Sequence, residues 1–304
     1  MEVNTSIKQD SIKAWMLAAR PKTLTGAAVP VMIGVALAFV DSKLLYTFNV
    51  FSVTAAILCL LFAFIMQIDA NFINDLFDCM NGNDDESRLG PRRACAQGWI
   101  SIDAMKKGIA ITTVIACIIG LPLVLFGGFE MILIGLICVV FCFLYTTHLS
   151  YMGLGDLLVV IFFGVVPVCI SYYVQLHTIT LECLIASIAC GLVIDSLLIV
   201  NNFRDIENDK KAGKNTLVVM LGLKRSSYLY IGLGVSAFVM GITFIFYGHL
   251  WAFVLPVVYL IFHLFTYLKM TNIKRGKALN VILGKTARNI FIYGMMVTIG
   301  LLLN

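Results

Sequence analysis

The run FSVTAAILCLLFAFIMQIDANFINDLFDCMNGNDDESRLGPRRACAQG, residues 51–98, decides how the rest of the chain is read. Its first half is apolar for long enough to cross a hydrocarbon core of about 30 Å, which takes about 20 helical residues. Its second half turns acidic, then basic. Asn71, Asn74, Asp75 and Asp78 therefore fall at the end of a membrane helix, where acidic side chains are costly and mark function. Steps of four and seven residues return nearly to the same side of a helix, so Asn71, Asp75 and Asp78 share a face within about 60°. Beyond the helix come Asp84, Asp85 and Glu86, then Arg88, Arg92 and Arg93. Carboxylates beside arginines suit a meeting of Mg²⁺ with phosphate oxygens, because the hard cation takes oxygen ligands and guanidinium offers phosphate a fork of donors.

The whole composition fits a membrane setting: 60% of the 304 residues are hydrophobic and 13% charged, against about 25% charged in soluble proteins. Nine apolar stretches, at 24–42, 50–74, 105–126, 130–149, 156–176, 179–202, 227–247, 250–270 and 286–303, predict an all-α polytopic bundle of nine transmembrane helices. None shows the period-two, roughly ten-residue pattern of a membrane barrel strand. The first is itself long enough to span, so it reads as a helix and not as a cleavable signal.

Cytoplasmic loops collect positive charge. All but one of the 22 basic residues, the exception being Lys43, fall on one side of the nine spans. This predicts a cytoplasmic N-terminus in a cytoplasmic (inner) membrane. The net charge of +5 is thus a topology signal and does not call for nucleic acid. Nine cysteines are scattered without a Cys-x-x-Cys pair, and four histidines show no ligand spacing; neither pattern suggests a zinc site or a disulfide framework. Trp15 with Arg20 and Lys22 reads as an interfacial anchor or as part of a substrate site. The roles of Asp69 and Asp195 stay open.

The fourth apolar run ends in LYTTHLSYMGLGD, residues 144–156, with Tyr145 and His148 on the acidic side of the membrane. They suit an aromatic belt or an acceptor site equally, and Asp156 is read as the cap of the fifth helix. The sixth run ends in VNNFRDIENDKKAGKNTL, residues 200–217. Asn202, Asp205 and Asp209 share a face within about 60°, with Arg204, Lys210, Lys211 and Lys214 around them. Both acidic stretches end even-numbered helices, so they open to the same side and can converge. Their likeness suggests one membrane domain of two related four-helix halves, about 14–150 and 151–270, with the helix 286–303 appended.

NDLFD at 74–78, RLGPRR at 88–93 and NNFRDIENDKKAGKNTL at 201–217 resemble the signature regions of the UbiA superfamily of intramembrane prenyltransferases, most of all its MenA-type branch. The resemblance implies that Asp75, Asp78, Asp205 and Asp209 hold Mg²⁺ on a polyprenyl diphosphate, with Asp84 as a further ligand where Asn81 replaces an acid common in the superfamily. It implies diphosphate binding by Arg88, Arg92, Lys210 and Lys214, and an aromatic acceptor, 1,4-dihydroxy-2-naphthoate, prenylated with loss of CO₂ in menaquinone biosynthesis. Another aromatic acceptor, such as 4-hydroxybenzoate, is the alternative within the family. The loop after Tyr145 is shorter than in that branch and lacks its Gly-Gly-Pro segment. A secondary transporter also places paired acids inside helices, but near the midplane and between broken helices; here they lie at helix ends beside Arg and Lys.

Overall fold

The structure is a computed structural model and describes residues 7–44, 51–82, 88–147 and 153–303. Asp84 and His148 lie outside the described residues. Among these residues the chain is helical, with no strand. A short helix α1 (Ile12–Ala19) precedes nine long ones: α2 (Leu24–Leu44), α3 (Val53–Met80), α4 (Ile102–Gly127), α5 (Glu130–Thr147), α6 (Gly155–Leu176), α7 (Leu181–Lys211), α8 (Leu217–Phe246), α9 (Leu250–Ile273) and α10 (Asn280–Leu302). Seven helical stretches, the first joining α1 to α2, are long and apolar enough to cross a membrane; α5 is shorter, and α10 carries Lys285 and Arg288 in its first half. The nine expected spans therefore reappear as nine long helices. The difference lies at two ends: α3 and α7 run on past their apolar runs, so the acidic faces lie on helical extensions that stay packed, with Asp75 and Arg204 buried.

Local sequence sets the boundaries. Ser52, Ser101, Thr180 and Thr216 each accept a hydrogen bond from the backbone N–H three residues on, capping α3, α4, α7 and α8, as short hydroxyl side chains do at helix starts. Between α1 and α2, Arg20 adopts a left-handed φ of 48° before Pro21, which folds α1 back across α3. The ring of Trp15 meets Phe72 edge-on at 5.3 Å and covers Gly108 of α4. Ile12, Met16 and Leu17 stay exposed on the opposite side of α1, giving it an outer apolar face suited to the membrane interface.

α7 runs through the middle of the bundle and packs against α6, α8 and α10. Its approach to α6 is backbone to backbone: a Cβ on Gly164 would lie 2.5 Å from Gly191 Cα, and one on Gly191 would lie 2.8 Å from Val160 O. Small residues permit such contacts between membrane helices, where packing replaces the hydrophobic effect. α6 makes a π-turn over Ile161–Val165 at this crossing, just ahead of Pro167; proline cannot donate to the ladder, and the wider turn absorbs the mismatch. Asp69 is buried between α3 and α4, where its carboxylate accepts from Thr113 Oγ1 at 2.9 Å and from Thr112 Oγ1. It joins two helices and lines neither cavity described below.

Candidate active site

The extended ends of α3 and α7 face each other across a polar cavity of about 470 Å³. The α3 face does not act as one unit. Asn71 is buried, donates to Ala19 O and Thr23 Oγ1 at 2.9 Å each, and so fixes the bend between α1 and α2. Asp75 is 1% exposed, and its two oxygens accept the backbone N–H groups of Ala94 and Cys95, both at 2.9 Å. Both side chains serve the protein's own backbone. Asn74 and Asp78, the next positions round the helix, line the cavity. Asp75 thus holds the loop that carries the arginines, and Asp78 meets one of them, Arg93, at 2.8 Å.

On the other wall, Asn201, Asn202, Asp205, Asn208 and Asp209 line the cavity. Arg204 is 3% exposed and grips Asp205 through Nε (2.8 Å) and Nη2. It also donates to Asn201 Oδ1 and to Asn280 Oδ1, at 2.8 Å each. Asn280, at the start of α10, donates in turn to Leu89 O at 2.9 Å, tying the arginine loop to α7. The chain leaves α7 through Gly213, whose φ of +69° is left-handed and costs glycine little; Lys214 then returns to the cavity.

Arg88 and Lys214 line the polar cavity. Arg92 is exposed and lines neither cavity, whereas Arg93 lines both. Lys210 is exposed and lines neither, whereas Lys211 lines the polar one. Asn201, Asn280 and Asp156 were not singled out as site residues from the sequence; Arg93 was read only as a member of the basic cluster, and Arg20 as an anchor or part of a substrate site. Asp156 lies in the first turn of α6 and makes no cap: the residue before the helix is Leu154, and Asp156 Oδ1 is buried without a hydrogen-bond partner. Asp195 of α7, also buried with an unpartnered Oδ1, is within electrostatic reach of Asp156. Tyr145 is within reach of both. The sequence signal for this trio is weak, since each acid lies alone in an apolar run.

Asp209 Oδ2 is likewise buried without a hydrogen-bond partner, with Asp205, Asp78, Arg204 and Lys214 within electrostatic reach. A buried carboxylate oxygen left unpaired among other carboxylates suits a divalent cation, which takes oxygen donors and offsets their charge. The residues present therefore fit Mg²⁺.

Below the polar cavity lies a larger apolar one of about 1150 Å³, walled by α2 to α7 and α10. Arg20, Asn74, Arg88, Arg93, Tyr145 and Asn201 line both and mark the junction. Leu121 of α4 and Ile132 and Leu136 of α5 line the apolar cavity yet are 52–64% exposed. The cavity therefore opens sideways between α4 and α5.

Charged recess, arginine-bearing loop and apolar chamber open to the side are parts for an amphiphile with an anionic head and a hydrocarbon tail. A sequence profile of the UbiA prenyltransferase family matches residues 27–294, and the chain belongs to that family. It is 37% identical over 221 residues to the 1,4-dihydroxy-2-naphthoate octaprenyltransferase of Escherichia coli, covering 69% of each chain. To the enzyme of the same name from Haemophilus influenzae it is 36% identical over 238 residues, covering 75% of this chain and 76% of the other. The solved UbiA homolog of Archaeoglobus fulgidus bound to DMAPP and Mg²⁺ superposes with a TM-score of 0.58 at 15% identity, covering 93% of this chain and 98% of that one; it shares the fold.

Proposed function

We propose that the protein transfers the polyprenyl group of a polyprenyl diphosphate to 1,4-dihydroxy-2-naphthoate, releasing diphosphate and CO₂, as a step of menaquinone biosynthesis. The observation that carries this reading is the pair of facing helix ends, Asn74 and Asp78 against Asn202, Asp205 and Asp209, set over an apolar cavity open to the side. The names of the E. coli and H. influenzae relatives support the choice of acceptor. The basic asymmetry supports a cytoplasmic opening and a cytoplasmic-membrane location.

Asp78, Asp205 and Asp209 would hold Mg²⁺, which when bound offsets the charge that builds on the departing diphosphate. Arg88, Arg93, Lys211 and Lys214 bind the diphosphate oxygens and stabilise the same charge. The apolar walls keep water from the allylic cation. Tyr145 and Asp156 flank the place left for the acceptor ring, with Asp195 within electrostatic reach of both. A carboxylate there takes the proton of a ring hydroxyl, raising the electron density of the ring carbon that bears the acceptor's carboxylate. That carbon bonds to the prenyl carbon as the bond to diphosphate breaks. The carbon–carboxylate bond then breaks, CO₂ leaves, its electron pair restores the aromatic ring, and the hydroxyl proton returns from the protein. No covalent nucleophile is needed, since holding the two reactants together supplies much of the rate.

The test is to give purified protein a polyprenyl diphosphate and carboxyl-labelled 1,4-dihydroxy-2-naphthoate, and to measure released label and prenylated product. Equal amounts of both are expected. Prenylation of 4-hydroxybenzoate with its carboxylate retained, and none of the naphthoate, overturns the assignment.

A further inference from the structure

The other end of the bundle holds a second group of charged side chains that prenyl transfer does not use. Glu182 lies in the first turn of α7 and Asp205 near its last, 23 residues on, so at 1.5 Å per residue the two are about 35 Å apart. Beside Glu182 are Asp41, in the last turn of α2, and His249, in the turn between α8 and α9. One donor atom from each of Asp41, Glu182 and His249 lies within 4.8 Å of the other two. Glu182 and His249 are 2% and 3% exposed. We propose that Asp41, Glu182 and His249 form a binding site for a divalent transition-metal cation, Zn²⁺ by its donor set, that pins three helix ends together at the face opposite the catalytic cavity.

Four observations support the site. The separation of His249 Nε2 and Glu182 Oε1 is 3.7 Å, too long for a hydrogen bond; two ligands each about 2.1 Å from a tetrahedral ion lie about 3.4 Å apart. Glu182 Oε1 is buried and has no hydrogen-bond partner, although it faces a carboxylate and an imidazole. Two carboxylates at close range, Glu182 buried and Asp41 half-buried, are costly unless a cation or protons offset them. The basic residue nearest in sequence, Lys43, places its ammonium over the Phe39 ring at 4.3 Å. The Tyr172 hydroxyl donates to Asp41 Oδ2 at 2.5 Å, the kind of outer hydrogen bond that orients a ligating carboxylate.

The donor types choose among cations. Carboxylates alone would suit Mg²⁺ or Ca²⁺, whereas one imidazole with two carboxylates suits Zn²⁺ or its first-row neighbours. The positions of the three residues in sequence, 41, 182 and 249, carry no ligand spacing, so the group exists only through the fold.

The experiment uses the full-length protein in detergent, stripped with chelator and returned to millimolar Mg²⁺ with one equivalent of Zn²⁺. After dialysis, elemental analysis should find one Zn²⁺ per chain in the parent protein and in Asp205→Asn, and none in Glu182→Gln or His249→Gln. Zn²⁺ should raise the thermal midpoint of the parent and leave that of Glu182→Gln unmoved. Tyr172→Phe, which keeps all three ligands, should weaken Zn²⁺ binding by about 10-fold. Retention of Zn²⁺ by Glu182→Gln equal to the parent, or loss of it in Asp205→Asn alone, moves the ion to the catalytic cavity and overturns the proposal. A parent protein that keeps no Zn²⁺ and whose thermal midpoint ignores it also overturns it, leaving protons to hold the cluster.

Discussion

Asp75→Asn separates two roles that the sequence superimposed on one helix face. In the parent, both carboxylate oxygens of Asp75 accept backbone N–H groups, those of Ala94 and Cys95 at 2.9 Å, and the residue is 1% exposed. A hydrogen bond to a buried charged group contributes about 1.5–3 kcal/mol. Asparagine turns one of the two oxygens into an NH₂ that faces a backbone N–H, so one bond is lost and a donor meets a donor. The cost is about 3 kcal/mol, on the order of 100-fold in the population of the docked loop. That loop carries Arg88 and Arg93. The substitution should therefore lower the thermal midpoint and raise the KM for polyprenyl diphosphate, by up to that factor. The Mg²⁺ concentration giving half-maximal rate should stay where it is in the parent, while Asp78→Asn and Asp209→Asn should shift it upward. Initial rates measured against diphosphate and against Mg²⁺, with a thermal melt of each variant, separate the cases. An Asp75→Asn protein of unchanged melting that needs as much extra Mg²⁺ as Asp209→Asn would refute the reasoning and return Asp75 to the metal.

Gly191→Ala places a Cβ 2.8–2.9 Å from backbone atoms of Val160 and should destabilise by about 1–3 kcal/mol; Gly232→Ala, with nothing within 4 Å, should not, and equal melting of the two would refute the close crossing. Asp156→Asn should lower kcat by about 100-fold or more if its carboxylate takes the hydroxyl proton, with the KM for polyprenyl diphosphate unchanged; an unaltered kcat removes it from the reaction. Cysteines placed at the exposed positions Asn215 and Lys43 of a cysteine-depleted chain should label from opposite faces of the membrane, Asn215 from the cytoplasmic one. Labelling of both from one face contradicts the helix count.

The helices were legible because an apolar run of about 20 residues has few alternatives in a bilayer, and each expected span has its long helix. The acidic faces of α3 and α7 were legible as faces. What the helical wheel could not supply is which neighbours stand on each side of a packed helix end. Asn71 and Asp75 share the expected face, yet the Ala19 carbonyl, Thr23 and the N–H groups of Ala94 and Cys95 stand beside them, and Asn74 and Asp78 are left to the cavity. Arg92 and Arg93 differ by one position in a loop with no period to tell them apart; the hydrogen bonds that dock the loop decide that Arg93 turns inward. Asn280 was invisible for another reason: its partners, Arg204 and Leu89, are 76 and 191 residues away in sequence.

The sideways mouth between α4 and α5 changes what concentration means for this protein. A substrate whose tail enters through Leu121, Ile132 and Leu136 never passes through water, so encounter is a search in two dimensions within the leaflet. Saturation should then follow the mole fraction of the prenyl lipid among its neighbours, and diluting the membrane with inert phospholipid at fixed bulk amounts should slow turnover as surely as withholding the substrate.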